Sequence, residues 1–273
     1  MMPPRLHVLL ARDSPLAVVM RRGPTRHTAV IGWDRKTDRF ALGQWLYGRI
    51  YERRSDLSPD GRHLIYFAMN GKWSSGTKGS WTAISRAPWL KADVLYGKGD
   101  GWCGGGLFTS NSEYFLDDCY GSHRLLHDHA RLKRTDVLRW PVGPGGECPR
   151  MYFARLQRDG WELLRARKGR DDAPAIFEKP VDARWNLRKL AHATLWRRQG
   201  RSVYFDTHEL RNARTGECIE LDDWEWADVD GKRLVWAADG RLHAGRVHAD
   251  GSLLATVLND FSDMRFERRT APY

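Results

Sequence analysis

The sequence predicts an all-β protein. Apolar residues rarely recur at the spacing of three or four that a helix requires. Short runs rich in Leu, Val, Ile, Tyr, Phe and Trp recur instead, and Gly, Asp, Asn and Pro bound them, as in sheets with frequent turns. Helical periodicity predicts short helices only at residues 123–134 and 183–198. With 273 residues, 41% of them hydrophobic, the chain is long enough to bury a substantial core.

A unit of one turn and one strand recurs along the chain. Its best copies are LSPDGRHLIYFA at 57–68 and ADVDGKRLVWAA at 227–238, which share an Asp-Gly turn, a basic residue and an apolar run. Weaker copies lie at 11–22, 108–118 and 195–206. The turns are roughly 30 to 50 residues apart, a period typical of four-stranded propeller blades. The spacing predicts a single β-propeller domain over 1–273, with about five or six irregular four-stranded blades.

The stretch LSPDGRHLIYF resembles the repeat of TolB-type β-propellers, a WD-like family in which Ser-Pro-Asp-Gly forms the turn. In that family the strand after the turn packs between neighbouring blades. The resemblance covers the repeats alone and implies a fold, not an activity. Asp60 and Gly61 are then predicted to be turn residues, and residues 64–67 are predicted to pack between blades.

The end of the chain predicts the most regular blade. KRLVWAA, RLHAGRV and SLLATVL form three predicted strands that short Asp-Gly turns connect. DMRFERR, at 263–269, could supply a last strand that pairs with the N-terminal sheet and closes the ring. The insert at 118–149, with its helical patch and VGPGGECP, is predicted to leave the sheets as a loop excursion.

Charge and targeting signals limit the classes of partner. The formal net charge is +11, which makes nucleic acid a possible partner, but no run of five like charges forms a basic arm. No window of about 18 apolar residues predicts a membrane span. Arg12, Asp13 and Pro15 interrupt the apolar start where a secretory signal would need continuity, so a cytoplasmic location is predicted.

The four cysteines have no paired short spacing, and no disulfide framework is predicted from them. They are Cys103, Cys119, Cys148 and Cys218.

The glycine-rich segment 96–108, YGKGDGWCGGGLF, contains two partial motifs. Gly99, Gly101 and Gly104 match the spacing of a dinucleotide fingerprint, and GWCGG matches a nucleophile elbow with Cys in place of Ser. Both motifs require a helix afterwards. The residues that follow indicate a strand, a turn and a strand, so a glycine-rich turn before an innermost strand is predicted, and no cofactor is.

His123, His127 and His129 are the strongest candidates for metal ligands. His123 and His127 would share a face on a helix, whereas His127 and His129 would share one only on a strand. Since no single secondary structure aligns all three, a polar loop or helix is preferred and no metal is predicted.

The acidic segment 220–230, ELDDWEWADVD, could supply paired carboxylates for acid–base chemistry. Acidic residues before a strand and a turn more often bind backbone N–H groups, so a loop role is preferred. Trp224 and Trp226 flank these acids and, with them, are predicted to form a contact patch for a basic segment of a partner.

The polar loop at 70–90 is the other candidate binding region. It lacks the Gly-Lys-Ser/Thr order of a phosphate-binding loop, but basic and aromatic residues alternate along it. Such a loop could stack bases, grip a phosphate or recognise a protein, or it could be structural. The predicted binding residues here and in the glycine-rich segment are Lys72, Trp73, Lys78, Trp81, Trp89 and Trp102.

The leading hypothesis is a non-enzymatic propeller that binds another protein, because a ring of blades presents several loops on one rigid face. A bacterial adaptor or the immunity partner of a toxin would be concrete forms of it. The alternatives are a propeller that binds nucleic acid or an anionic ligand through Arg and Trp, and a hydrolase or lyase with a site at the propeller axis.

Overall fold

The protein is built mainly from strands. A computed structural model describes residues 3–23, 26–119, 121–140, 147–166, 173–193 and 202–273. Within these segments, five sheets and one α-helix are formed. The all-β prediction is therefore confirmed. The sheets contain four, six, three, five and four strands in chain order, so the predicted four-stranded unit holds for the first and last only.

Sheets 1 and 5 are simple antiparallel meanders. Sheet 1 consists of β1 (Arg5–Leu10), β2 (Leu16–Arg22), β3 (His27–Asp34) and β4 (Arg39–Tyr47). Sheet 5 consists of β19 (Trp226–Asp230), β20 (Arg233–Ala238), β21 (Arg241–Val247) and β22 (Leu253–Asp260). The three strands predicted at the end of the chain are confirmed as β20, β21 and β22.

The middle sheets are less regular. Sheet 2 contains β5 (Arg49–Ile50), β6 (Asp56–Leu57), β7 (His63–Met69), β8 (Ser80–Arg86), β9 (Ala92–Gly97) and β12 (Arg124–Asp128). Sheet 3 contains β10 (Gly106–Phe108), β11 (Glu113–Leu116) and β13 (Lys133–Thr135), where β11 and β13 pair in parallel. Sheet 4 contains β14 (Glu162–Arg165), β15 (Ala175–Pro180), β16 (Trp185–Ala193), β17 (Tyr204–Asn212) and β18 (Cys218–Leu221).

The repeat unit forms the predicted turn and inner strand. Gly61 has a φ of +77°, and Asp60 accepts a hydrogen bond from the N–H of Arg62 at 3.1 Å. In β7, Leu64 and Tyr66 pack toward sheet 1, whereas Ile65 packs toward sheet 3. The continuous apolar run is thus explained, because both faces of this strand are covered.

Neither predicted helix forms among the described residues; residues 194–198 of the second prediction lie outside them. Residues 124–128 and 133–135 are β12 and β13, so the insert at 118–149 also contributes strands to two sheets and does not leave them. Most of the second predicted helix is β16, whose residues alternate between buried and half-buried with the period of two of a strand.

The α-helix, α1 (Glu147–Arg158), was not predicted. Residues 151–156 are all buried, because α1 is surrounded by sheets and the 3₁₀ helix Glu52–Arg54. Arg155 and Arg158 of this helix are buried as well, through partners on other elements, and such buried charges obscure the apolar face of the helix in the sequence. At twelve residues, this helix is too short to cross a membrane, and no other α-helix occurs in the described segments.

Five apolar clusters join neighbouring elements. They lie between sheets 1 and 2, sheets 2 and 3, sheet 3 and α1, sheets 5 and 1, and among α1, sheet 4 and sheet 5. Each sheet therefore packs apolar side chains against the elements on both sides of it. Separate sheets are stabilised in this way by side-chain packing and not by a common hydrogen-bond ladder.

The C-terminal segment after β22 forms no strand, which corrects the prediction for 263–269. Phe261 and Met264 pack in the cluster between sheets 5 and 1. The segment then crosses β4, where Gln44 donates a hydrogen bond to the carbonyl of Arg269 at 3.1 Å. At its end the Tyr273 hydroxyl donates to the carbonyl of Lys91 at 2.8 Å. It thus connects sheets 5, 1 and 2 as an irregular strap.

Cys103 and Cys119 form a disulfide, which the cysteine spacing did not predict. It joins the glycine-rich loop before β10 to the residues after β11. Disulfides are rare in reducing compartments, so this bond weighs against the cytoplasmic location, which stays a prediction.

Candidate functional site

A basic groove crosses one end of sheets 1 and 2. β2 and β4 end here, β7 ends beside them, and β1 begins here. The groove has a volume of about 690 Å³. It is lined by four arginines, Arg5, Arg22, Arg26 and Arg49, and by apolar atoms of Tyr47 and Met69, among others. We call it the arginine groove.

A close backbone approach shapes the arginine groove. A Cβ atom at Gly48 would lie 2.5 Å from the Met69 carbonyl oxygen, so glycine lets the β4–β5 connection contact the end of β7. The N–H of Gly48 also donates to the carbonyl of Arg26 at 2.7 Å. These contacts hold Tyr47 and Arg49 beside Met69.

The charge of the arginine groove has one sign, because no carboxylate lines it among the described residues. Arg22 lies 3.6 Å from the Glu52 carboxylate, and the guanidinium of Arg49 lies 4.4 Å from the centre of the Tyr51 ring. Arg26 is exposed, and Tyr47 is 53% exposed. The groove therefore offers planar guanidinium donors beside an accessible aromatic ring.

A smaller cavity of about 190 Å³ adjoins the groove and shares Arg5 and Arg22 with it. Glu52, Asp206 and Glu225 contribute carboxylates to its wall, and we call it the carboxylate cavity. Glu225 accepts a hydrogen bond from the N–H of Leu6 at 2.8 Å, which connects sheet 5 to the start of β1.

The environment separates the pKa values of these carboxyl groups. Burial raises the pKa of Glu225 to about 7. Burial also acts to raise the pKa of Asp206, but the charges of Arg53 and Lys189 outweigh it and the pKa is lowered. The pKa of Glu52 is lowered in the same way, with Arg22 the leading charge against burial.

A pair of carboxyl groups with separated pKa values can perform acid–base catalysis when both reach a substrate. The Asp206 side chain, however, is only 1% exposed. Its Oδ2 accepts a hydrogen bond from the Tyr152 hydroxyl at 2.6 Å and lies 3.1 Å from Arg53. These contacts assign Asp206 to holding α1 and the 3₁₀ helix, not to contacting a substrate.

No protein-family model matches the chain, and no curated protein is similar to it in sequence. The TolB-type resemblance therefore remains a prediction of fold. The site must be judged from its own residues.

A third cavity, of about 440 Å³, opens at the opposite ends of the sheets. Three of its basic residues have intramolecular partners: Arg158 pairs with Asp56, Lys179 with Asp228 at 2.8 Å, and Lys189 donates to the Ala227 carbonyl at 3.0 Å. Arg12, which also lines this cavity, is exposed. Burial lowers the pKa of Lys189 to about 8. These three cations join α1 to sheet 2 and sheet 4 to sheet 5.

Four of the predicted binding residues lie near the arginine groove. Asn70 and Gly71 line the groove, and the loop that they begin carries Lys72, Trp73 and Lys78. Trp73 is 55% exposed, and Trp102, on the adjoining loop, is 60% exposed. Their exposure is consistent with the binding role, which stays a prediction.

The other predicted tryptophans are engaged within the protein. Trp81 is half-buried against the cluster between sheets 1 and 2, and the guanidinium of Arg269 lies 5.5 Å from the centre of the Trp89 ring. Trp224 stacks on Trp236 with ring centres 4.3 Å apart, and Trp226 is buried between sheets 5 and 1. The contact patch predicted from Trp224 and Trp226 is therefore wrong, because both rings are core.

The histidines are spread over separate contacts. His123 pairs with Asp118 at 2.9 Å, whereas His127 lies within hydrogen-bond distance of the Ala92 carbonyl and stacks on His129. The described residues contain no cluster of three side chains that could hold a metal ion.

The glycine-rich segment 96–108 enters β10 and then β11, as predicted, with no helix after it. A Cβ atom at Gly105, whose φ is +81°, would lie 1.8 Å from the Arg54 carbonyl oxygen. The glycines serve close packing, and the Cys of the apparent nucleophile elbow is in the disulfide.

The groove arginines were missed as a group. Arg22 and Arg26 lie in RRGPTRH, which was interpreted as one of several scattered basic segments. Arg5 and Arg49 are distant from it in sequence. The positions of these arginines relative to the strands were an available signal. Arg22, Arg26 and Arg49 end or adjoin strands at one end of two consecutive sheets.

Proposed function

We propose that this protein is a non-enzymatic β-propeller that binds an acidic segment of a partner protein in the arginine groove. The observation that carries the proposal is the lining of this groove, four arginines with no carboxylate among the described residues. Guanidinium groups bind carboxylates through two parallel hydrogen bonds, and such pairs fix the orientation of a ligand.

The propeller part of the proposal is supported by the order of packing. Sheets 1, 2 and 3 contact each other in turn, α1 joins sheet 3 to sheet 4, and sheet 5 contacts both sheet 4 and sheet 1. This order returns to its start. Five sheets would then be five blades, with α1 beside the inner strands between blades 3 and 4.

Apolar atoms in the groove favour a peptide over a simple anion. Tyr47 and Met69 lie among the arginines, so a segment that alternates Asp or Glu with Leu or Phe would match both kinds of surface. A rigid groove at a loop-bearing end of a propeller is a common arrangement for protein recognition.

Single-stranded nucleic acid is the second candidate. Trp73 and Trp102 are exposed beside Lys72 and Lys78, and exposed rings near cations can stack bases. This surface lies on the loops beside the groove, so the two candidates can be separated by variants.

The test is binding of a fluorescent peptide of alternating Glu and Leu, measured by anisotropy at several salt concentrations. Arg26→Glu with Arg49→Glu should weaken binding at least tenfold, about 1.4 kcal/mol. The control is Arg246→Glu, an exposed arginine on β21 outside the groove. Equal losses in both variants, or no binding at low salt, would refute the peptide proposal.

The same assay with a single-stranded oligonucleotide tests the alternative. Loss of oligonucleotide binding in Trp73→Ala with Trp102→Ala, together with no binding of the peptide, would favour nucleic acid.

A further inference from the structure

The carboxylate cavity has more carboxyl groups than arginines in its wall. Five carboxyl groups and three arginines line it. The carboxyl groups are those of Glu52, Asp206, Asp222, Asp223 and Glu225. Carboxylates that share a concave wall focus a negative potential and raise the local concentration of cations. The excess of carboxyl groups therefore favours a cationic group in this cavity, in contrast to the anionic groups that fit the arginine groove.

Three of these carboxyl groups have no cation of the protein paired with them. Asp222, Asp223 and Glu225 form no ion pair with a described residue. Asp222 and Asp223 are exposed, and the side chain of Glu225 accepts its hydrogen bond from the N–H of Leu6. All three lie between β18 and β19, so they add their charges to the same part of the wall.

Asp206 supplies a second, independent observation. Its Oδ2 accepts from Tyr152 and lies beside Arg53, and these contacts hold α1 and the 3₁₀ helix. Its Oδ1 has no hydrogen-bond partner among the described residues, although the side chain is only 1% exposed. A buried carboxylate oxygen without a donor is unfavourable, and native proteins rarely leave one unsatisfied. A donor held in this cavity would satisfy it, directly or through one bridging water.

The carboxylate cavity and the arginine groove are connected. Arg5, Arg22 and Ser202 line both of them. The cavity volume of about 190 Å³ is several times the roughly 30 Å³ of a water molecule in the liquid, but less than a third of the 690 Å³ of the groove. A segment bound in the groove can therefore place one terminal group in the cavity, which is too small for a longer stretch of chain.

We propose that the acidic segment binds with a free N-terminus, whose α-ammonium group occupies the carboxylate cavity while its acidic side chains contact the arginine groove. This inference rests on the proposed function and specifies one end of the ligand. An ammonium group has three N–H donors and no acceptor, which matches a wall of carboxylates. The α-ammonium group is attached directly to the backbone, so it enters a small cavity without the four-carbon stem of a lysine.

The shared arginines define the first side chain of the ligand. Arg5 and Arg22 lie at the junction of the two spaces. With the α-ammonium group in the cavity, the first side chain of the segment lies nearest to this junction. A carboxylate there would pair with a guanidinium, so Asp or Glu is expected at the first position. The chain would then run along the groove past Tyr47 and Met69.

The test compares two peptides of alternating Glu and Leu, both labelled at the C-terminus, one with a free N-terminus and one acetylated. At pH 7 the free α-amino group is mainly protonated, since its pKa is about 7.7 to 8.0. By anisotropy, the wild type should bind the free peptide at least about fivefold more tightly than the acetylated one. Net charge alone predicts the reverse order, because acetylation makes the peptide more negative.

The variant Asp223→Asn with Glu225→Gln removes two of the unpaired carboxylates and keeps the shapes of both side chains. Its preference for the free peptide should fall to about twofold or less. The acetylated peptide should bind it at least as tightly as it binds the wild type, which shows that the variant is folded. Glu217→Gln, at an exposed carboxylate outside the cavity, is the matched control and should keep the wild-type preference.

Several outcomes would overturn the inference. If the wild type binds the acetylated peptide as tightly as the free one, the inference is wrong and the proposed function stands. An unchanged preference in the double variant would show that these carboxylates do not hold the α-ammonium group. Tighter binding of an acetylated peptide with Lys in place of the first Glu would assign the cavity to a lysine side chain. If no peptide binds, the proposed function is refuted and the inference with it.

Discussion

Replacing Arg158 with Met would break the ion pair that joins α1 to sheets 2 and 3. Arg158 Nη2 donates to Asp56 Oδ1 at 2.7 Å, and the N–H of Phe108 donates to Asp56 Oδ2 at 2.7 Å. The two side chains are only 1% and 2% exposed. Burial acts to lower the pKa of Arg158, but the charges of Asp56 and Asp159 outweigh it and the pKa is raised.

The expected loss of stability is about 3 to 5 kcal/mol, because the variant leaves the Asp56 carboxylate buried without its cation. With a urea dependence of about 3 kcal/mol per M, the unfolding midpoint should fall by roughly 1 M or more. The assay is urea unfolding followed by circular dichroism, and Asp56→Asn with Arg158→Met should recover part of the loss.

The control is Arg241→Met. Arg241 pairs with Asp260 at 2.7 Å, a similar distance, but the two side chains are 52% and 42% exposed. Solvent screens this pair, so its loss should leave the midpoint close to that of the wild type. Equal effects of Arg158→Met and Arg241→Met would refute the argument that burial makes the first pair essential.

Three further predictions follow from burial and covalent structure. Because the folded pKa of Glu225 is about 7, above that of the unfolded chain, the folded state binds more protons and this residue lowers stability as pH rises from about 4.5 to 7. Unfolding free energies of wild type and Glu225→Gln should diverge over this range, with the variant gaining up to about 3 kcal/mol relative to wild type by pH 8. Peptide mapping should find Cys103 and Cys119 protected from alkylation until the protein is reduced. Trp224→Ala should cost about 3 to 5 kcal/mol in chemical unfolding, whereas Trp102→Ala should leave stability nearly unchanged.

The strands that the sequence predicts correctly are those that are buried on both faces. In β7 and β20 the turn residues and the apolar runs are local signals, and both strands are buried on two faces, so pattern and environment agree. β16 misled the prediction because Leu187, Leu190 and Ala191 recur at the spacing of three and four that is typical of one face of a helix. Lys189 is buried there beside the Trp161 ring, at 4.6 Å, an environment that only the fold creates.

The site was less predictable than the fold for a similar reason. Exposure of a tryptophan depends on which sheet faces it, and Trp224 is core only because Trp236 of β20 stacks on it. The arginine groove combines the ends of β1, β2, β4 and β7 with a residue just before β17, so its lining extends from Pro3 to Ser202. Local motifs cannot report a set assembled in this way.

The basic residues have different surroundings at the two ends of the sheets. At the opposite end of the sheets, Arg158, Lys179 and Lys189 are held by intramolecular partners and their charges stabilise the fold. In the arginine groove, Arg26 and Arg49 are exposed and no carboxylate among the described residues lines the wall. An acidic segment that enters the groove would therefore meet cations in its wall, whereas the carboxylates at this end lie in the adjoining cavity. Its rate of association should fall with salt. A composition effect alone would distribute the excess arginines without regard to partners, so this asymmetry is the stronger reason to seek the binding site in the groove.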